Sequence, residues 1–132
     1  SMLGLALDLS LREKGLNLTT QADYEIVRDI KETCCYVVTD FDQALKESTE
    51  SSACEKEYKL PDGRQIVLGS ERFKCAEALF EPTHARYELE GVQKYCFDAV
   101  QRCEPDLRRE LLGNLILSGG NTLFEGMAER LY

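Results

Sequence analysis

Long apolar runs are missing from this sequence, and so are a C-x-x-C pair and any excess of basic charge. The longest apolar clusters, "CCYVV" and "LILSGG", fall far short of the roughly 18 residues a helical membrane span needs, and they read as buried strands or helix ends. No signal peptide is visible, and the leading "SM" resembles a residue pair left by an expression vector. The expectation is a soluble intracellular protein, without a membrane partner. With 24 acidic against 16 basic residues, the formal charge of −8 argues against nucleic acid as a partner, because that binding is driven by Lys and Arg neutralising phosphates. Acidity at this level serves solubility.

Metal and disulfide frameworks are equally poorly supplied. The six cysteines stand at 34, 35, 54, 75, 96 and 103, and the single histidine, His84, has no cysteine near it in sequence. A zinc site needs better-organised ligands, so no metal is expected, and the thiols read as reduced cysteines of a cytosolic or nuclear chain. Cys96 and Cys103 fall on the apolar face of one predicted helix, where a thiol behaves as a small hydrophobe.

What is present is enough for one domain, or a piece of one: 132 residues, 43% hydrophobic and 30% charged. In "LGLALDLSLREKG" the leucines alternate as in a strand, yet Leu3, Leu7 and Leu11 also share one helical face, and composition together with Gly15 favours helix. Thr20 followed by Asp23 predicts a capping arrangement for a helix whose stripe is Ile26, Val27, Ile30 and Cys34. "DFDQALKESTESSACEKE" starts helical and dissolves into a polar connection. "YKLPDGRQIVLG" is a hairpin signal, with Gly63 free to take a positive φ. "SERFKCAEALFEP" reads as one or two short helices halted by Pro82. "GVQKYCFDAVQRC" predicts a helix with Val92, Tyr95, Cys96, Ala99, Val100 and Cys103 on its apolar face. Pro105 opens another helix that Gly113 can end. The chain closes on a predicted strand, a Gly119-Gly120 turn, and a helix striped by Phe124, Met127, Ala128 and Leu131. That stripe breaks off at Tyr132 without a cap, and both ends read as cut from something longer.

Two features invite a functional reading. Arg28, Lys31 and Glu32 cluster on the polar side of the second helix, where the plain interpretation is a solvated face with a local ion pair. "SGGNTLFEG" is neither G-x-G-x-x-G nor a P-loop, but a strand–glycine–helix junction exposes backbone N–H groups and offers a flat surface to a planar ring. A glycine turn there also serves simply to let a helix pack closely on a strand.

"LSGGNTLFEGMAERL", "EIVRDIKETCCYV", "YKLPDGRQIVLGSERFKCAEALFEP" and the helix from Gly91 to Cys103 resemble successive segments of actin, in the same order along the chain. The resemblance implies an internal fragment of an actin or actin-related protein. Its fold class would be mixed α/β (α+β), part of the actin-like ATPase fold: a small outer subdomain over about 3–87, with its hairpin at 56–68, and part of the underlying larger-lobe subdomain over about 88–132. It implies ATP or ADP as cofactor, with magnesium in the full-length parent and none held tightly by this piece. Arg28, Lys31 and Glu32 would lie beside adenine and ribose, Glu32 accepting from ribose hydroxyls and Lys31 flanking the base. Gly119 and Gly120 would bring backbone to the adenosine and α-phosphate. Asn121, Leu123 and Phe124 would complete the wall.

The loops that cradle the terminal phosphates in the family have no counterpart here, so no hydrolysis is expected from this chain, although its parent could be a slow ATPase. Implied partners are other actin-like subunits and actin-binding regulators, in the cytoplasm and cytoskeleton or in the nucleus. The tip His84-Ala85-Arg86-Tyr87 stands where the family loop is apolar and joins filament strands, and burying Arg86 there would be costly, which counts against conventional filaments. Two other readings stay open: a nucleotide-independent scaffold, and a sugar kinase or chaperone ATPase of the same two-lobed architecture.

Overall fold

The computed structural model describes residues 2–16, 19–82 and 88–132. The loop tip around His84 and Arg86 therefore lies outside the described residues. Seven α-helices and one hairpin are present among them: α1 (Met2–Glu13), α2 (Gln21–Cys34), α3 (Phe41–Glu50), β1 (Lys56–Lys59), β2 (Gln65–Leu68), α4 (Glu71–Glu77), α5 (Val92–Gln101), α6 (Pro105–Gly113) and α7 (Met127–Leu131).

The leucine ambiguity at the start resolves as helix. Leu3, Leu7 and Leu11 are buried while Leu9 is 42% exposed, a split that a helical face produces and strict alternation does not. Gly15, at φ +86, ends α1. The buried leucines of α1 pack between α2 and α4, joining Val27 and Ile30 of α2 with Cys75, Ala76, Leu68 and Phe80 in one cluster.

α2 begins with a capping box. Thr20 Oγ1 accepts from the Asp23 N–H at 3.2 Å and Asp23 Oδ2 accepts from the Thr20 N–H at 2.8 Å, so orphan donors of the first turn are satisfied reciprocally. The N–H bond from Thr20, followed by the Thr20 side chain, also holds the Asp23 carboxyl below its ordinary range.

The hairpin is antiparallel, pairing Lys56 with Leu68 and Tyr58 with Ile66. Gly63 turns it at φ +92, and Leu60 N–H donates to the Arg64 carbonyl at 2.8 Å. Tyr58 ties the hairpin to α2, its hydroxyl donating to Asp29 Oδ2 at 2.5 Å. Burial, and then that bond to Asp29, push the phenol from 10.0 up to about 12. A raised folded-state value means that this contribution is complete below the unfolded value and is lost as pH climbs through the folded one. Between about pH 10 and 12 the chain should lose stability that a Tyr58→Phe variant, already lacking the bond, does not lose. Urea titrations of both proteins across that window check this, and parallel pH profiles would contradict it.

Three expectations need correction in the second half. The apolar face of α5 is not a core face: of its residues only Val100 is buried, and Tyr95 stands exposed. α5 packs on α6 and its first turn meets the core through Val92, but farther along the stripe Tyr95 and Ala99 are left exposed. The predicted closing strand is absent as well. Residues 114–118 have no strand partner, and Ile116 is 91% exposed. A strand exists only through the ladder it shares with a neighbour. The final helix is also shorter than its stripe suggests. Gly120–Leu123 form a 3-10 turn, Gly126 at φ +84 interrupts the chain, and α7 follows. Phe124 and Met127 are buried, whereas Ala128 is exposed.

Candidate functional site

The segment after α2 and the segment after the glycine turn are joined by backbone. Val37 N–H donates to the Glu125 carbonyl at 2.8 Å, and Gly126 sits so close to Val37 that a Cβ there would lie 2.1 Å from the Val37 oxygen. Arg130 of α7 clamps the arrangement from below. It meets Glu77 in a two-pronged ion pair with both N–O distances at 2.8 Å, donates to the Val38 carbonyl at 2.8 Å, and stacks 4.7 Å from the Phe80 ring centre. Bidentate geometry of this kind fixes orientation as well as distance.

That docking leaves a hollow of about 350 Å³ between the end of α2 and the glycine turn, lined on one side by Lys31, Glu32, Thr33 and Cys35. The opposite side is formed by Gly120, Asn121, Leu123, Phe124 and Glu125. Six of the eight residues singled out in the sequence thus meet in one place: Lys31, Glu32, Gly120, Asn121, Leu123 and Phe124. Phe124 is buried and forms the floor, while Leu123, 85% exposed, stands up as a rim. A Cβ on Gly120 would meet no protein atom within 4 Å, so nothing in the protein crowds its backbone.

The other two candidates stand apart from it. Gly119 is not in the lining; its φ of +100 sets up the 3-10 turn, closed by Thr122 Oγ1 donating to the Gly119 carbonyl at 2.6 Å. Arg28 borders a second hollow, of about 550 Å³, between α1 and α2, and Lys31 borders both. Arg28 Nε lies 3.1 Å from Glu32 Oε1, which is the local ion pair of the plain interpretation, and that bond raises the arginine above its ordinary value. In the same second hollow Asp8 is buried, with one oxygen 3.0 Å from Arg12 and the other without a partner among the described residues. Thr33, Cys35 and Glu125 were not anticipated as lining; Thr33 and Glu125 flank residues that were, and Cys35 lies three positions beyond Glu32.

A hollow of this size lies at the lower end of ligand-pocket volumes, about 300–1,000 Å³. It offers a carboxylate acceptor, an ammonium, a side-chain amide and an apolar floor. Among the described residues no group of three or more His, Cys, Asp or Glu side chains is placed to hold a metal ion.

The family model described as Actin matches residues 5–132. The chain belongs to the actin family. The mixture of helices with a small two-stranded sheet is consistent with a part of the actin-like fold. Within this actin-family chain, the hollow brings together residues of the "EIVRDIKETCCYV" and "LSGGNTLFEGMAERL" segments.

Proposed function

We propose that this actin-like chain supplies the adenosine side of an ATP-binding cleft in a cytoskeletal or complex-forming protein, and does not hydrolyse ATP by itself. The observation that carries the reading is the shared hollow of Lys31, Glu32, Gly120, Asn121, Leu123 and Phe124. Glu32 would exchange its bond to Arg28 for the ribose hydroxyls, a substitution that costs little because that pair is exposed on both sides. Lys31 would flank the base, its stem covering ring surface while its ammonium stays in water. The bare backbone at Gly120 would let the nucleoside approach closely.

In this reading residues 3–87 form the outer subdomain and 88–132 part of the inner one. ATP or ADP is the ligand, with magnesium carried by phosphate-binding segments outside this chain. Phosphoryl transfer depends on positioning and charge stabilisation around the terminal phosphates, which this reading assigns to other segments of the cleft. The partners are other actin-like subunits and their regulators, in the cytoplasm or nucleus. The exposed Arg28–Glu32 pair favours one alternative, a scaffold that uses no nucleotide.

ATP titration of the full-length protein separates the two. Glu32→Ala should weaken binding by about 10-fold or more, the range expected when a charge-assisted hydrogen bond is lost. Unchanged affinity would favour the scaffold. Incubating the 132-residue chain with ATP and magnesium should release phosphate no faster than buffer does, and turnover like that of an intact actin would refute the non-hydrolytic part.

A further inference from the structure

We propose that Cys35 and Cys75 form an oxidisable dithiol, a modification site at which peroxide writes a disulfide between the end of α2 and α4. Their Sγ atoms lie 3.3 Å apart, the one sulfur–sulfur contact among the described residues, and all six cysteines are free thiols. The backbone holds them there. Arg72 Nε donates to the Cys34 carbonyl at 2.7 Å, and Tyr36 N–H donates to the Arg72 carbonyl at 3.0 Å. Cys35 is thus pinned on both flanks to the helix that carries Cys75. A disulfide needs the sulfurs at about 2.05 Å, so each has only to close about half of the remaining gap.

The two thiols differ in access. Cys35, 8% exposed, borders the hollow beside Lys31 and Glu32, whereas Cys75, 2% exposed, borders a separate hollow next to Leu9 and Phe41. Contact with Cys75, followed by burial, pushes the Cys35 thiol well above its ordinary value, which keeps it protonated and slows its oxidation. Once peroxide reaches Cys35, its sulfur attacks one peroxide oxygen and the O–O bond breaks. The second oxygen leaves as water and Cys35 becomes a sulfenic acid. The Cys75 sulfur then attacks the Cys35 sulfur, the S–O bond breaks, and a second water leaves with the Cys75 proton. Two thiols give up two electrons, and one hydrogen peroxide becomes two waters.

Capture at contact distance should outrun further oxidation, leaving a disulfide rather than a sulfinic acid. Treating the chain with hydrogen peroxide and then alkylating it unfolded should find two of the six thiols lost, with a tryptic cross-link joining the peptide containing Cys34 and Cys35 to the one that begins at Cys75. Cys34→Ala should keep that cross-link and Cys35→Ala should abolish it. Cys75→Ala should instead leave Cys35 to progress to sulfinic acid. The oxidised wild type should melt several degrees higher, reversibly on adding dithiothreitol, because the new bond closes a long loop. Six alkylatable thiols after peroxide, a cross-link that needs Cys34, or sulfinic Cys35 in the wild type would each overturn the proposal.

Discussion

Arg130→Leu should cost the chain about 3–5 kcal/mol of folding stability, the penalty of stranding one member of a buried ion pair. Glu77 is only 3% exposed and its two oxygens are both taken by the Arg130 guanidinium. Removing the cation leaves that carboxylate with neither water nor a partner. The loss should be read as a lower urea midpoint with an unchanged slope. The pair Glu77→Leu with Arg130→Met should regain most of it, since two apolar groups of similar bulk leave nothing charged in the interior. Recovery should be incomplete, because the Val38 carbonyl also loses a donor and the Phe80 ring loses its cation. A single variant costing under about 1 kcal/mol would mean that water reaches Glu77 far more readily than this packing allows.

Gly126→Ala should be the next most damaging change, at about 2 kcal/mol or more. Two costs combine. A non-glycine residue at φ +84 sits in the left-handed region, a strain of about 1–3 kcal/mol. Its Cβ would also press to 2.1 Å from the Val37 carbonyl oxygen, so the joint that holds the glycine turn against the end of α2 must open. Gly63→Ala is the matched control, with a similar φ of +92 and nothing within 4 Å of the added carbon. The difference between the two variants isolates the contact from the torsion. Equal losses would show that Val37 yields freely and that the hollow is not held from that side.

Sequence pattern gave away most of the first half of the molecule and less of the second, for a physical reason. Thr20, Asp23 and Gly63 act on their own neighbours, and their capping and turning effects are complete within a few residues of chain. Pro105 likewise opened α6 where its fixed φ suits a first helical turn. The apolar periodicity of α5 and the run from Leu115 to Leu117 state a need for cover, but the covering element is not encoded in the same stretch. Tyr95 and Ile116 are exposed because no described element lies over them. At the candidate site, spacing alone left Arg28, Lys31 and Glu32 as a surface trio, and resemblance was needed to pair them with the glycine turn. One helical turn then divides them: Lys31 and Glu32 reach the hollow, while Arg28 is carried round toward α1. The place of Cys35 in the lining has no sequence signature, because a buried thiol reads like its apolar neighbours.

Residues 114–118 carry a practical consequence. A row of peptide groups flanked by Leu115, Ile116 and Leu117, standing in water with no strand beside it, is an open template for any other extended chain. Holdase chaperones grip surfaces of this sort, and clumping grows from them as samples are concentrated. Dilution is therefore an experimental variable for this molecule in its own right, and the net charge of −8 opposes the approach of separate copies.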